Sequence, residues 1–143
     1  MGIVNDERGQ MTVELAVMLP IIIIIAVIAT NAVLFFSDCA AFDRVSREAV
    51  RVYAASPAYG QAQSQSVALV RESIEAVLDQ PYLETEVSAE AQTGGCVRYS
   101  MTLEFSPTLF GMGLRSEVLG VSLPKLSHTA TYVVDTYKSG VIV

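Results

Sequence analysis

Gly9 and Glu14 stand at the entrance to a long uncharged run. Gln10-Met11-Thr12-Val13 separates them, and no charged side chain occurs from Leu15 to Phe36. A carboxylate at the edge of a hydrocarbon layer is costly, and such groups tend to mark functional sites. Two plainer explanations stay open. The Glu14 side chain could reach the lipid headgroups, or it could favour the positive end of a helix that starts near Thr12. Neither explains the glycine.

The other residue types that carry chemistry form no recognisable constellation. His128 is the single histidine and has no Cys or acidic cluster at ligand or triad spacing. The two cysteines are not arranged as C-x-x-C, and Gly111-Met112-Gly113 lacks the further glycine or lysine of a phosphate loop. We therefore expect no enzyme, no metal, no cofactor and no small-molecule substrate.

The uncharged run has the length of a membrane span. As a helix, Leu15–Phe36 would rise about 33 Å, and a hydrocarbon core is about 30 Å thick. The run contributes strongly to the 52% hydrophobic content of the 143-residue chain. We therefore expect a transmembrane helix over residues 10–36. The net charge of −6 and the lack of a basic block argue against nucleic acid as a partner.

Residues 1–9 differ from a cleavable secretory signal, because Asp6 and Glu7 outweigh Arg8 and the apolar run is longer than a signal core. A cut near Thr30-Asn31-Ala32 keeps a secreted protein open as an alternative.

The distribution of arginines predicts an orientation in the membrane. Only Arg8 precedes the run, and three arginines follow it, Arg44, Arg47 and Arg51. The positive-inside rule would place the C-terminal part in the cytoplasm.

Beyond the run, the helical pattern continues with a narrow apolar seam. The seam consists of apolar residues at spacings of three, four and three, which a helix places on one face: Phe42, Val45, Ala49 and Val52. We expect residues 37–56 to continue the helix, which gives one rod from about Thr12 to about Ala55, roughly 65 Å long. Pro20 lacks an amide hydrogen and is expected to kink its first half.

Residues 57–143 are expected to form an α+β domain. A second helix is predicted over Ser66–Leu78, with an apolar face of Val67, Val70, Ile74, Val77 and Leu78. Alternating apolar and polar residues predict antiparallel strands over Leu83–Glu90, Val97–Ser106 and His128–Tyr137, with a turn at Thr93-Gly94-Gly95. So small a sheet needs cover, and the seam supplies it. Pro107–Lys125 is either a surface loop or a partner-facing segment.

Cys39 and Cys96 have two interpretations. If the C-terminal part lies outside the cytoplasm, a Cys39–Cys96 disulfide is permitted. Two separate buried thiols fit equally well, because the sequence does not give the separation of the two Cα atoms.

The segment from Arg8 to Ala55 resembles the TadE-like proteins, pseudopilins of the tight-adherence (Flp-type, type IVb-like) pilus machinery. Three features carry the resemblance: the G-x-x-x-x-E pattern from Gly9 to Glu14, Leu19-Pro20 followed by Ile21–Ile25, and Ser46–Ala55, which is similar to an R-E-G-A-R-Y-A-like tail. Two departures lie in the tail. Val50 replaces a small residue, and one extra residue, Val52, precedes Tyr53.

The resemblance implies a pilin-like fold and a minor pilin or pseudopilin cut by a prepilin peptidase after Gly9, so that residues 1–9 are a leader and Gln10 becomes the N-terminus. It implies that the new amine pairs with Glu14 of a neighbouring subunit, and that Phe42, Val45, Ala49 and Val52 serve subunit pairing. It places the protein in the bacterial inner membrane, with residues 57–143 extracytoplasmic and with other pilins and the assembly platform as partners. An unprocessed, membrane-anchored extracytoplasmic binding protein is the alternative.

Overall fold

A long helix and a small sheet make up the architecture of the protein. The computed structural model describes residues 6–55, 57–58, 60–109, 117–118 and 121–135. Its elements in chain order are α1 (Asp6–Ala49), a π-helical turn (Val50–Ala54), α2 (Gln63–Glu75), β1 (Leu83–Ala91), β2 (Cys96–Phe105), β3 (Glu117–Val118), β4 (Val121–Ser122) and β5 (Leu126–Asp135). The predicted α+β combination of a long N-terminal helix, a second short helix and an antiparallel sheet is confirmed.

Helix α1 continues through Pro20 as one element. It has two halves of different character, which we call the apolar half (residues 10–36) and the distal half (residues 37–49). Side chains of the apolar half are mostly exposed, whereas one face of the distal half is buried against the rest of the chain. The helix begins at Asp6, earlier than the predicted start near Thr12.

The π-helical turn at the end of α1 changes which residues face the core. Its backbone bond runs from the amide of Ala55 to the carbonyl oxygen of Val50, at 3.0 Å, one residue wider than an α-helical bond. Ala54 is consequently buried, while Val52 remains 47% exposed. The prediction that Val52 lies on the buried face is therefore wrong. Val52, the extra residue of the tail, falls inside this wider turn.

Strands β1, β2 and β5 form an antiparallel sheet with β2 in the centre. In its register Tyr99 of β2 lies opposite Ala89 of β1 and Tyr132 of β5. The predicted alternation is confirmed in β2, whose inward side chains are Val97, Tyr99, Met101, Leu103 and Phe105. Gly94 and Gly95, with φ of 93° and 82°, make the β1–β2 turn in a region that favours glycine.

The core lies between this sheet, the distal half of α1 and helix α2. Val70 and Ile74 of α2 are fully buried in it. Helix α2 ends at Glu75, three residues before the predicted end, and Val77 is therefore 61% exposed instead of buried. The early end leaves Leu78 half-buried against the core.

The Pro107–Lys125 segment is described in part. Strands β3 and β4 within it form a small antiparallel pair in which Glu117 lies opposite Ser122. Strand β5 begins at Leu126, two residues before its predicted start, and its predicted last two residues lie outside the described residues. Residues 110–116 and 119–120 of the segment also lie outside them.

Candidate membrane-anchoring and assembly site

The first turns of α1 hold the three residues of the predicted processing site. Gly9, Gln10 and Glu14 are all exposed, and open space surrounds the position that a Cβ atom of Gly9 would occupy. The Gln10 side-chain amide donates to Glu14 Oε1 at 3.4 Å, the outer limit of a hydrogen bond. One face of the helix therefore presents Gln10 and Glu14 together, with the carboxylate accessible.

The apolar half of α1 exposes its hydrophobic side chains on nearly every side. Exposed members include Met11, Val13, Leu15, Val17, Met18, Leu19, Ile21, Ile22, Ile23, Ile25, Ile28, Val33 and Phe36. Only 6% of the most apolar window is buried, which is unlike the core helix of a soluble domain. The helix is long and apolar enough to cross a membrane.

The distal half of α1 covers the sheet. Phe42 and Ala49 lie in the hydrophobic core, and Val45 packs against its edge. Their burial leaves Phe42 and Ala49 no free surface for a neighbouring subunit. Among the four seam residues expected to pair subunits together with Glu14, Val52 alone is substantially exposed. It lies with Val45 and Val77 in a groove between α1 and α2.

A polar contact joins α1 to strand β5 at the edge of the core. His128 Nε2 lies 2.9 Å from Asp43 Oδ1, and the Tyr132 hydroxyl donates to the Asp43 carbonyl oxygen at 3.3 Å. No pattern in the sequence indicated this partner, because Asp43 and His128 are 85 positions apart in the chain and only the fold brings them together.

A second polar contact lies inside the apolar run, where the sequence suggested only an interruption. The Asn31 amide nitrogen donates to the carbonyl oxygens of Val27 at 2.9 Å and Thr108 at 2.8 Å. The amide of Thr108 donates back to Asn31 Oδ1 at 2.8 Å. Asn31 is 5% exposed and Thr108 is 3% exposed. The C-terminal domain is thus fixed to α1 well before the distal half begins.

Asp38 occupies the junction of the two halves of α1, and no charged group of the described residues forms an ion pair with it. Burial raises the pKa of its carboxyl above 3.8, and its Oδ2 atom is buried with no hydrogen-bond partner among the described residues. Burial, followed by the charge of Asp38, raises the pKa of Tyr82. The Tyr82 ring packs edge-on against Phe105, with 5.5 Å between ring centroids. The carboxylate is therefore destabilised where it lies.

Cys39 and Cys96 are both free cysteines. Phe35 contacts Phe105 at the end of β2, so Cys39, one turn further along α1, lies near that end of the sheet. Cys96 begins the same strand, about 30 Å from Phe105 at the rise of a β-strand. A disulfide needs Cα atoms within about 7 Å. The structure holds Cys39 and Cys96 as two separate thiols.

Metal binding finds no support in the described part of the chain, where no three His, Cys, Asp or Glu side chains cluster closely enough to hold an ion. Family models, curated proteins and solved structures give no significant match to this chain. The resemblance to the TadE-like proteins consequently depends on the residues of the sequence themselves.

Proposed function

We propose that this chain is a minor pilin or pseudopilin of the TadE-like kind that takes part in assembling a tight-adherence pilus. The observation that supports it best is the composition of α1. One continuous helix has Gly9 and Glu14 at its start, an exposed apolar half, and a distal half built into the core. A subunit drawn from a membrane into an assembly needs its anchor coupled rigidly to its exposed domain, and one helix shared by both provides that coupling.

The proposed cut after Gly9 agrees with the local physics of the helix. Gly9 is exposed, and a glycine inside a helix costs about 1 kcal/mol relative to alanine. The backbone at this position therefore leaves the helical conformation more readily than at its neighbours, as peptide-bond cleavage requires. Removal of residues 1–9 frees an α-amine at Gln10, one helical turn before Glu14.

That amine gives Glu14 a partner in a bundle of such helices. The Glu14 carboxylate is exposed, and it makes a long contact to Gln10. Unlike charges attract strongly where water is excluded. A charge pair of this kind contributes more to setting the register between subunits than to net stability. The pairing is therefore a means of fixing the axial position of one subunit on the next.

In this proposal the mature chain spans the bacterial inner membrane once through the apolar half of α1, and the C-terminal domain lies outside the cytoplasm. The three arginines of the distal half and the turn oppose this orientation by the positive-inside rule. We give these arginines less weight than the helix itself, because the first apolar helix usually sets the topology. Long domains that follow it translocate largely regardless of their charge. The partners are then the membrane, other pilins, the assembly platform and a prepilin peptidase.

Co-expression with a prepilin peptidase tests the proposal. Intact-mass measurement should show the loss of residues 1–9 only when the peptidase is present. Gly9→Val, which adds a β-branched side chain at the cut, should abolish this loss, and Gly2→Val is the matched control that should leave it unchanged. A chain that keeps its full mass with active peptidase would favour the unprocessed membrane-anchored binding protein instead.

A further inference from the structure

The Asn31–Thr108 contact lies inside the run that is proposed to cross the membrane, near its C-terminal end. Asn31 precedes Phe36 by five positions, which is about 7.5 Å along the axis of α1. A hydrocarbon core takes up about 20 residues of helix. Counted from Glu14, the last ionisable group before the run, the outer boundary falls near Leu34. The contact with Thr108 is therefore on the lipid side of that boundary.

The Asn31 side chain and the backbone groups of Thr108 satisfy one another in this contact. Asn31 uses its carbonyl oxygen on the Thr108 amide and its amide nitrogen on two backbone carbonyl oxygens. Thr108 in turn has both its backbone donor and its backbone acceptor engaged by this one side chain. Non-helical backbone is tolerated at membrane depth only where protein groups replace water in this manner. The backbone groups of Thr108 therefore need no water here, and only its buried hydroxyl is without a partner among the described residues.

The surroundings of the contact are apolar. Val27, one turn before Asn31, is buried, and the remaining faces of α1 at this level expose Ile28, Val33 and Phe36. Leu109, the residue after Thr108, is half-buried. A surface of this composition is suited to acyl chains and is unfavourable in water.

We propose that the C-terminal domain makes a second contact with the membrane, in which the backbone at Thr108 enters the outer lipid leaflet and docks there on Asn31. The partner of this surface is the acyl-chain region of a phospholipid bilayer. The docking fixes both the height of the sheet above the bilayer and its rotation about α1. This inference requires the proposed membrane span, and it is independent of the cut after Gly9.

Fluorescence quenching by lipid can measure the depth directly, because the chain contains no tryptophan. Leu109→Trp, Ile22→Trp and Val133→Trp are each made in the full chain and reconstituted without partners into phosphatidylcholine vesicles brominated on the acyl chains. The tryptophan at position 22 reports the insertion of α1 into the bilayer. Val133 is an exposed residue of β5 that lies far from Thr108 along the sheet, so its tryptophan serves as the control. Pro107→Trp provides a second reporter if Leu109→Trp fails to fold.

We expect quenching and a blue-shifted emission for Leu109→Trp and Ile22→Trp, and neither for Val133→Trp. Quenching of Ile22→Trp alone would overturn the leaflet contact and leave the membrane span intact. No quenching at Ile22 would refute the span and the leaflet contact together. Since no other protein is present, quenching at Leu109 would show that acyl chains themselves reach this surface.

Two substitutions in the Leu109→Trp background test the docking of Thr108 on Asn31. Asn31→Leu removes all three hydrogen bonds of the contact and should reduce quenching to the Val133→Trp level. Thr108→Val keeps the backbone bonds and removes only a buried hydroxyl that has no partner among the described residues, so quenching should persist. Unchanged quenching in Asn31→Leu would contradict docking on Asn31.

Discussion

Asp43 of α1 and His128 of β5 meet with 2.9 Å between Oδ1 and Nε2, at a point where helix and sheet share an edge. The ring of Phe42 packs edge-on against the same imidazole, with 6.1 Å between ring centroids. One residue of β5 therefore receives both an apolar and a polar contact from the helix. The distal half of α1 is consequently part of the folded C-terminal domain, and the two should unfold together.

Replacement of Phe42 by alanine should show this dependence. Phe42 is fully buried, so Phe42→Ala should lower the free energy of unfolding by about 3–5 kcal/mol. Val52→Ala, at an exposed position of the same helical seam, should change it by less than about 0.5 kcal/mol. Urea unfolding followed by circular dichroism measures both. Equal effects would mean that the distal half does not cover the sheet.

Asp38 should make the fold more stable in acid than at neutral pH. Burial raises the pKa of Asp38 in the folded state, so the protonated carboxyl is the form that the fold favours. The stabilisation is fully present below the unfolded pKa of about 3.9 and is lost as the pH rises through the higher folded value. At neutral pH the carboxylate is thus a net cost.

Asp38→Asn should accordingly raise the free energy of unfolding at pH 7 by up to about 1 kcal/mol, since the side chain keeps part of its contact with water. The gain should shrink as the pH falls towards about 4. Thermal unfolding of both proteins across this range measures the difference. Asp43→Asn is the matched control, because it removes a carboxylate that already has His128 as partner. A gain that grows in acid would contradict the assignment.

Local patterns of the sequence predicted the regular elements well. The alternation in β2 is maintained for ten residues because one face packs on helices and the other faces solvent. The glycine pair at 94 and 95 allowed the turn to be placed. Helical spacing also predicted that Phe42 and Ala49 share the buried face of α1. Each of these features depends on residues close together in the chain.

Features that depend on distant residues could not be predicted. Asn31 and Thr108 are 77 positions apart. An asparagine in an apolar run indicates that a polar partner exists, but it does not identify the partner residue. The exposure of Val52 follows from the π-helical turn, and the exposure of Val77 follows from the early end of α2. Both errors arose from extending a regular helical period past the point where backbone bonding changes.

Cys96 allows the proposed orientation to be measured in intact cells. A membrane-impermeant maleimide should label the Cys39→Ala variant, in which Cys96 remains, if the sheet lies outside the cytoplasm. Cys39 should react more slowly in the Cys96→Ala variant, because burial and then the charges of Asp43 and Asp38 raise the pKa of its thiol and lower its thiolate fraction. Labelling of Cys96 only after cell lysis would reverse the orientation.

Glu14 should matter for assembly and not for membrane insertion. Glu14→Ala and the isosteric Glu14→Gln remove the charge that would meet the new amine of a neighbour, so co-purification with partner pilins should fall several-fold. Glu14→Asp, which keeps the charge, should retain more of the co-purification with partner pilins. The membrane fraction of all three variants should match the parent chain. Unchanged co-purification of Glu14→Gln would rule out charge pairing.

The N-terminal residue of the protein isolated from the membranes of its native cells is the most direct test of the proposed function. Cleavage by a prepilin peptidase leaves a chain that begins at Gln10 and keeps the whole apolar half of α1. Edman sequencing should therefore give Gln-Met-Thr-Val-Glu. A chain that still begins at Met1, or one that begins near Val33 and lacks the apolar half, would contradict the assignment as a processed pilin.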